Sequence, residues 1–247
     1  MKTTGNTILI TGGTSGIGLA LAQALAAQGN QVIIAGRRQA LLDQAVASTP
    51  NLHGVTLDVS DAAALPGFVA TITQSFPSLN VLINNAGIML AENLQAGDTK
   101  TAEAMIATNL IAPIQLTAAL LPHLMAQTSA TIINVTSGLA FVPLTRTPTY
   151  NATKAALHSY SQSLRHQLRD TSVEVLELAP PSVQTDLMPG HAVDPTAMPL
   201  ADYIAEVMQI LANPDGSGEV LVNRVKFLRN AEAEGRFAEV FKALNGS

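Results

Sequence analysis

The stretch "TILITGGTSGIGLALAQALAAQG", residues 7–29, decides the fold. A short apolar β-rich run, 7–11, leads directly into a glycine-rich turn and then into a helical pattern. Gly12, Gly16 and Gly18 let the backbone turn sharply, approach a pyrophosphate closely and pack the helix tightly on the strand. An ordinary tight turn is the alternative. The glycine-rich turn follows the first strand of a βαβ unit, and this place favours the binding of a nucleotide phosphate at the helix N-terminus.

Strand and helix patterns alternate along the whole chain. The β-rich runs are continuously apolar, which is typical of parallel strands covered by helices on both faces. We therefore predict one Rossmann-type α/β domain over residues 1–247, a doubly wound parallel sheet with helices on both faces. The predicted strands are 7–11, 31–36, 54–59, 80–87, 130–137, 172–180 and 219–223, and the predicted helices are 17–29, 38–47, 61–76, 100–125 and 149–169.

Composition argues against several classes of function. The net charge of −5 disfavours a nucleic-acid surface, and the absence of cysteine excludes disulfides and thiolate metal sites. The histidines show no ligand spacing, so we predict no metal. The chain start does not match a signal peptide, and the apolar stretch 106–125 carries polar residues and prolines that a bilayer would penalise. We expect a cytoplasmic protein with neither a nucleic-acid nor a membrane partner.

The end of the second strand indicates which dinucleotide the turn would bind. NAD sites commonly carry an acidic residue about 20 positions after the turn, bonded to the ribose 2′-hydroxyl. Here Gly36 is followed by Arg37 and Arg38. A guanidinium offers paired donors to a 2′-phosphate, so NADP(H) is favoured over NAD(H). The alternative, surface charge at a helix start, suits Arg38 better. Asp58, after the third strand, either bonds adenine or caps the next helix.

Four motifs in order resemble the short-chain dehydrogenase/reductase family: TGGTSGIG (11–18), NNAG (84–87), a serine after the fifth strand, and Y-x-x-x-K in "PTYNATKAAL" (148–157). The resemblance implies a nicotinamide cofactor and hydride transfer to or from a carbonyl or alcohol carbon. The catalytic residues it implies are Asn109, Ser137, Tyr150 and Lys154. The cofactor-binding positions it implies are Gly12, Thr14, Ser15, Gly16, Ile17, Gly18, Arg37, Arg38, Asp58, Val59, Asn85, Ala86, Gly87, Tyr150, Lys154, Pro180, Val183 and Thr185.

The Tyr150–Lys154 spacing has a chemical reason. Two residues four apart share one helix face, although a packed ring beside a solvated amine has the same spacing. Reduction of a carbonyl builds negative charge on its oxygen, where a proton donor is needed. Tyrosine has an unperturbed pKa of about 10, and a neighbouring ammonium is expected to lower that pKa toward the operating pH. Ser137 is expected to hold the substrate oxygen.

Asn109 has a separate backbone argument. Pro113 lies four residues later and has no N–H, so it cannot bond the Asn109 carbonyl. The freed carbonyl is expected to hold a water beside Lys154 and pass protons to the Lys–Tyr pair. The alternative is a kink without a catalytic role.

The substrate side departs from the family pattern. Pro180 is kept, but Pro181 replaces the usual glycine and is expected to stiffen the loop. We predict a mobile substrate lid over 186–212 and treat His191 within it as a bystander. The candidate pocket walls, each of which could equally be core, are Leu139, Phe141, Leu144, Leu187 and Met188. Most of these favour an apolar carbonyl substrate.

The C-terminal residues 230–247 are predicted to form a helical tail. Phe237, Val240, Phe241 and Leu244 make an apolar stripe that must cover the chain's own core, a neighbouring subunit or the site. The resemblance further implies that the Tyr–Lys helix builds a dimer, so we expect a homodimer or homotetramer. The small residues that permit close packing there are Ala152, Ala155, Ala156, Ser159 and Ser163.

The favoured function is an NADPH-dependent carbonyl reductase, reversible as an alcohol dehydrogenase. One alternative is a nucleotide-sensing regulator, although such proteins commonly lose the tyrosine or the lysine. Another is an isomerase, epimerase or dehydratase. Nucleotide-sugar enzymes of that kind usually have longer chains, with a substrate domain after the Y-x-x-x-K segment, whereas only 93 residues follow Lys154 here.

Overall fold

The computed structural model describes residues 1–246, and Ser247 lies outside the described part of the chain. Seven parallel strands form one sheet in the order β3-β2-β1-β4-β5-β6-β7. The strands are β1 Thr7–Thr11, β2 Gln31–Gly36, β3 Leu52–Thr56, β4 Leu79–Asn84, β5 Ala130–Val135, β6 Val173–Leu178 and β7 Glu219–Val220. The helices are α1 Gly16–Ala27, α2 Gln39–Ser48, α3 Leu65–Ser75, α4 Lys100–Ile106, α5 Ala112–Met125, α6 Pro148–Leu168, α7 Leu200–Ala212, α8 Lys226–Arg229 and α9 Phe237–Asn245.

The order of the strands reverses between β1 and β4. The chain builds outward from β1 to β3, then returns to the other side of β1 and continues to β7. In such a sheet, ligands bind in the crevice beyond the carboxyl ends of the strands at this reversal. The predicted Rossmann-type fold is confirmed.

Alternate side chains of β1 pack into the two layers of the core on opposite faces of the sheet. Ile8 and Ile10 join the side covered by α1, α2 and α7, whereas Leu9 joins the side covered by α3, α5 and α6. Every residue of β1 is buried, as the continuous apolar pattern predicts for a strand covered on both faces.

The helical stretch Lys100–Met125 is long and apolar enough, by length and composition, to cross a membrane. In the fold it runs as α4, a π-helical turn at Ala107–Ile111, and α5. Leu116, Leu120 and Leu124 of α5 are buried in the core beside β4 and β5, so this face of the stretch serves as a core helix.

The structure moves several predicted boundaries: α3 begins at Leu65 rather than 61, β4 ends at Asn84 rather than 87, and β7 ends at Val220 rather than 223. Strand β3 is Leu52–Thr56 rather than 54–59, because a turn begins at Asp58. Within the predicted lid of 186–212, residues 200–212 form α7, which buries Tyr203 and Val207 against α1, and the loop 181–199 lies beside the cleft. Movement of this region stays a prediction. The tail is helical from Phe237, preceded by turns over 230–235, and its last predicted residue, 247, is outside the described part.

Candidate active site

The turn between β1 and α1 is held by backbone geometry that suits glycine. Gly12 and Gly16 have φ of 65° and 53°, in the left-handed region. A Cβ on Gly18 would lie 2.4 Å from Asn85 Nδ2 and 2.4 Å from the Gly12 carbonyl oxygen. The backbone thus fits tightly here, and the glycine positions leave an open cradle above the start of α1.

Asn85 of the NNAG motif fastens β4 to this turn. Its Nδ2 donates to the carbonyls of Thr11 (2.9 Å) and Gly12 (3.1 Å). The Thr11 hydroxyl accepts from the N–H groups of Asn85 and Ala86, each at 3.1 Å. The Ser15 side chain does not cap α1, so the N–H groups of its first turn stay available to a ligand.

A cleft of about 880 Å³ opens at the strand-order reversal. It runs from the glycine turn past the carboxyl ends of β4 and β5 to α9, within the size range of small-molecule sites. All eighteen predicted cofactor positions line it: Gly12, Thr14, Ser15, Gly16, Ile17, Gly18, Arg37, Arg38, Asp58, Val59, Asn85, Ala86, Gly87, Tyr150, Lys154, Pro180, Val183 and Thr185. The motifs, which are spread along the sequence, therefore come together along one cleft.

Arg37 and Asp58 face each other at one end of this cleft. Arg37 Nη1 lies 3.9 Å from Asp58 Oδ2, and both side chains are largely exposed. The Asp58 carboxylate accepts from the N–H and hydroxyl of Ser60, which, with a smaller contribution from Arg37, lower its pKa. Asp58 therefore closes a turn before α3 rather than capping the helix itself, and Arg37 remains positioned to bind an anion.

Tyr150, Lys154 and Ser137 meet at the centre of the cleft. Pro148 opens α6 and places Tyr150 and Lys154 one turn apart. Lys154 Nζ lies 5.6 Å from the Tyr150 ring centroid and donates to the Val135 carbonyl at 2.8 Å. Ser137 follows the end of β5, and its Oγ accepts from the Leu139 N–H at 3.1 Å.

Burial controls the titration of this pair. It raises the pKa of Tyr150 to about 12, against an opposite effect from the hydrogen bond with Ser137. It lowers the pKa of Lys154 to about 8. The expectation that Lys154 lowers the Tyr150 pKa is not met in the protein alone, because loss of hydration disfavours the phenolate.

Asn109 is fully buried behind the cleft rather than lining it. Its side chain pairs with the backbone of Ile88, accepting from the N–H and donating to the carbonyl at 2.9 Å each. The chain forms a π-helical turn at Ala107–Ile111, just before Pro113. A Cβ on Gly87 would lie 3.4 Å from Asn109 Oδ1 and 3.6 Å from Lys154 Nζ, so the two groups flank Gly87. The water relay remains a prediction.

The predicted pocket walls divide into two groups. Leu139, Leu144 and Leu187 line the cleft, whereas Phe141 and Met188 do not. Phe141 instead packs against the His158 ring (4.9 Å between centroids) and under the Arg229 guanidinium (4.8 Å). Met188 is buried in a cluster with Met89, Met105 and Tyr150.

Several residues that border the cleft have no site role assigned from the sequence. Arg146, Leu228 and Leu244 border the cleft, as do His191 and Pro181. Leu244 belongs to the apolar stripe of the tail, which indicated a covered surface without saying which one. Arg146 stands four residues before Tyr150, a spacing that alone gives no signal of its position.

A polar network beside Ser137 also escaped the sequence patterns. Buried Glu177 accepts from the Thr136 hydroxyl and pairs with His158 Nδ1, both at 2.7 Å. Glu219 pairs with Arg229 at 3.1 Å. The possible metal ligands His158, Glu177 and Glu219 have ligand atoms within 4.8 Å of one another. The spacing of the histidines in the sequence does not predict this cluster. Since Thr136, His158 and Arg229 already satisfy both carboxylates, we treat the cluster as structural support for β5, β6 and α6.

Comparison with known proteins identifies the relatives of this chain. The family model described as short chain dehydrogenase matches residues 6–194. The uncharacterized oxidoreductase DltE of Bacillus subtilis is 43% identical over 99% of this chain and 98% of its own. The sulfoacetaldehyde reductase of Chromohalobacter salexigens is 36% identical over 72% of this chain and 73% of its own. The closed form of serine dehydrogenase complexed with NADP⁺ superposes with a TM-score of 0.78 at 28% identity, covering 87% of this chain and 93% of that one.

Proposed function

Because the chain belongs to the short-chain dehydrogenase family, we propose that it is an NADP(H)-dependent carbonyl reductase that also runs as an alcohol dehydrogenase. One observation carries the proposal. Tyr150, Lys154 and Ser137 stand together in the middle of a cleft whose other end is the glycine turn. A dinucleotide lying along that cleft would bring its nicotinamide end to the tyrosine.

The residues at the glycine turn fit such a dinucleotide. The open cradle at Gly12 and Gly16, with the uncapped start of α1, supplies N–H groups for phosphate oxygens. Thr185 reaches over the turn, since a Cβ on Gly16 would lie 3.4 Å from it. Bound NADP(H) supplies or accepts the hydride.

Tyr150 acts as the proton donor in reduction. With a pKa of about 12 its hydroxyl holds its proton at neutral pH, ready for transfer to the carbonyl oxygen. Lys154, with a pKa of about 8, is mostly charged at neutral pH and stabilises negative charge as it develops on the tyrosine oxygen. The Ser137 hydroxyl holds the substrate oxygen, and its bond strengthens as charge grows there.

The preference for NADP(H) is supported by Arg37. Its exposed guanidinium lies at the end of the cleft that would hold the adenosine ribose of a bound dinucleotide, and residues 36–38 at the end of β2 include no carboxylate. A 2′-phosphate would be bound there by charge-assisted hydrogen bonds. The serine dehydrogenase structure, which contains NADP⁺, gives further support.

The position of Arg146 favours a carbonyl substrate that also carries an acid group. Arg146 lines the substrate side of the cleft and makes no ion pair with residues 1–246. A carbonyl compound that also carries an acid group would bring Arg146 its counter-charge, and the relative named sulfoacetaldehyde reductase supports this class. With succinic semialdehyde and butanal as a matched pair, we expect kcat/KM to favour the acid by about tenfold, and R146Q to remove that preference.

We further propose a cytoplasmic homo-oligomer. The predicted dimer face of α6 is accessible in the single chain, with Ala152, Ala155, Ser159 and Ser163 exposed. Light scattering of the purified protein would give a mass of at least twice 25.7 kDa. A monomeric mass would overturn this part of the proposal.

The decisive experiment measures oxidation of NADPH and NADH with a panel of ketones and aldehydes. Y150F should lower turnover by about 10²–10⁴-fold and leave NADPH binding intact, because it removes only the transferable proton. Y160F is the matched control, since Tyr160 lies on the same helix outside the cleft. NADPH binding without turnover of any carbonyl compound would favour a nucleotide-sensing regulator instead.

A further inference from the structure

The C-terminal helix α9 packs against the segment between Ser137 and Tyr150, here called the 138–147 loop. Val240 of α9 is fully buried with Val142 of the loop, and Phe241 and Leu244 pack against the same cluster. The amphipathic stripe of the tail therefore covers a part of its own chain that borders the cleft.

Asn245 bonds the loop at the end of α9. The Thr145 N–H donates to Asn245 Oδ1 at 2.7 Å, and Asn245 Nδ2 donates to the Pro143 carbonyl at 3.1 Å. The same Nδ2 also donates to the Phe241 carbonyl at 2.9 Å, which fixes the amide against its own helix. One side chain thus satisfies two backbone groups of a loop about a hundred positions away in the sequence.

The loop is also held from other sides. The Glu92 N–H donates to the Arg146 carbonyl at 3.0 Å, and the Asn151 amide donates to the Leu144 carbonyl at 2.8 Å. The Glu92 carboxylate accepts from the N–H and hydroxyl of Thr149, each at 2.8 Å. The side chains of Leu144 and Arg146 are consequently presented to the cleft from a firmly bonded backbone.

Leu244 itself lines the cleft, together with Leu139, Leu144 and Leu228. These four leucines make an apolar wall on the side of the cleft that holds Ser137 and Tyr150. Leu244 is half-exposed, so its packing against the core leaves part of the side chain facing the cleft.

We propose that α9 is part of the substrate site, with Leu244 setting the size of the apolar group accepted and Asn245 positioning the 138–147 loop. The inference rests on the proposed carbonyl reduction. Leu244 contacts the substrate, whereas Asn245 acts through Leu144 and Arg146.

The test of Leu244 uses straight-chain and branched aldehydes of increasing size. L244A should raise kcat/KM for the bulkiest substrate relative to the smallest by about tenfold, and L244W should lower that ratio by a similar factor. K242A, an exposed change on the same helix, should leave the ratio unchanged. A wild-type enzyme inactive on every aldehyde and on every ketone would defeat the proposed function. An active enzyme whose size ratio ignores both Leu244 variants would overturn this inference alone.

The test of Asn245 separates positioning from mere stability. N245A should raise KM several-fold with kcat within about twofold, because the loop bonds are lost while Tyr150 stays in place. V240A, which removes buried packing on the same helix, is the structural comparison: it should lower the melting temperature without a matching rise in KM. If N245A lowers only the melting temperature and leaves KM alone, Asn245 has no positioning role.

Discussion

The proposed cofactor side and the proposed substrate side of this cleft are built differently. The cofactor side, between residues 7 and 87, depends on backbone shape at Gly12 and Gly18 and on Asn85, which bonds the turn. The substrate side depends on side chains brought together from positions such as Thr145 and Asn245, which are 100 residues apart. The first kind of site can be recognised from a short motif. The second kind can be recognised only from the fold.

The largest expected effect breaks the cofactor side at Gly18. A methyl group there would lie 2.4 Å from both Asn85 Nδ2 and the Gly12 oxygen, so the turn and NNAG must separate. We expect G18A to lose about 1–3 kcal/mol of stability and up to about a hundredfold in NADPH affinity. Isothermal titration and urea unfolding measure the two effects.

Gly67 provides the matched control for that substitution. It is exposed on α3, and a Cβ there would meet nothing within 4 Å. G67A should therefore stabilise the protein by about 0.5–1 kcal/mol and leave NADPH affinity unchanged. Equal NADPH binding by G18A and wild type would show that the turn is not the phosphate site.

The next effect tests where the cofactor side ends. Arg37 is expected to bind the 2′-phosphate, so R37Q should weaken NADPH binding by about 10–30-fold and leave NADH binding nearly unchanged. R169Q is the control and should leave the binding of both cofactors unchanged, because Arg169 is exposed at the end of α6 and does not line the cleft. If R37Q affects both cofactors equally, the preference for NADP(H) has another origin.

Lys154 lies where the two sides of the cleft meet, and its titration should be visible in the pH dependence of stability. Burial depresses the Lys154 pKa from 10.5 to about 8, so between these values the unfolded chain binds more protons than the folded one. The free energy of unfolding should therefore rise between pH 7.5 and 9.5, by about 2 kcal/mol. Above about pH 10 the raised pKa of Tyr150 acts in the opposite direction.

Urea unfolding of the protein without cofactor checks this rise, and K154M should abolish it because the titrating amine is gone. The variant Lys100→Met, on an exposed residue of α4, should retain the full rise. A flat profile in the wild type would mean that the Lys154 ammonium remains well solvated in the folded protein.

Much of the fold followed from local patterns. Strands 7–11 and 31–36 were predicted at their observed bounds, because glycines mark a limit of each apolar run. Gly12 follows the first run, and Gly29 lies just before the second. The tight turn after β1 could be predicted for a similar reason, since Gly12 and Gly16 adopt backbone angles that few other residues adopt. The binding of a cofactor at this turn stays a prediction.

The rest depended on tertiary contacts that local pattern does not encode. Phe141 was a candidate for the pocket wall, with core packing as the alternative. In the structure it packs against His158 and Arg229, which lie on other elements. The pKa of Tyr150 was expected to fall, yet the spacing of Tyr and Lys says nothing about how completely both are buried. Leu244 carried an amphipathic signal whose covered surface only the fold reveals.

The smallest expected effect concerns the boundary between the substrate loop and the core, at α7. Residues 200–212 were predicted to move with a lid, but Tyr203 is fully buried among core residues beside α1. Its hydroxyl has no hydrogen-bond partner within residues 1–246, which costs stability because a buried donor loses its hydration. Y203F keeps the ring and removes that group, so it should stabilise the protein by about 1 kcal/mol in urea unfolding without changing kcat/KM. Y160F, on the half-buried tyrosine of α6, should stay within about 0.5 kcal/mol of wild type. A destabilised Y203F would mean that the hydroxyl is bonded in solution. A change in kcat/KM would mean that α7 belongs with the substrate side after all.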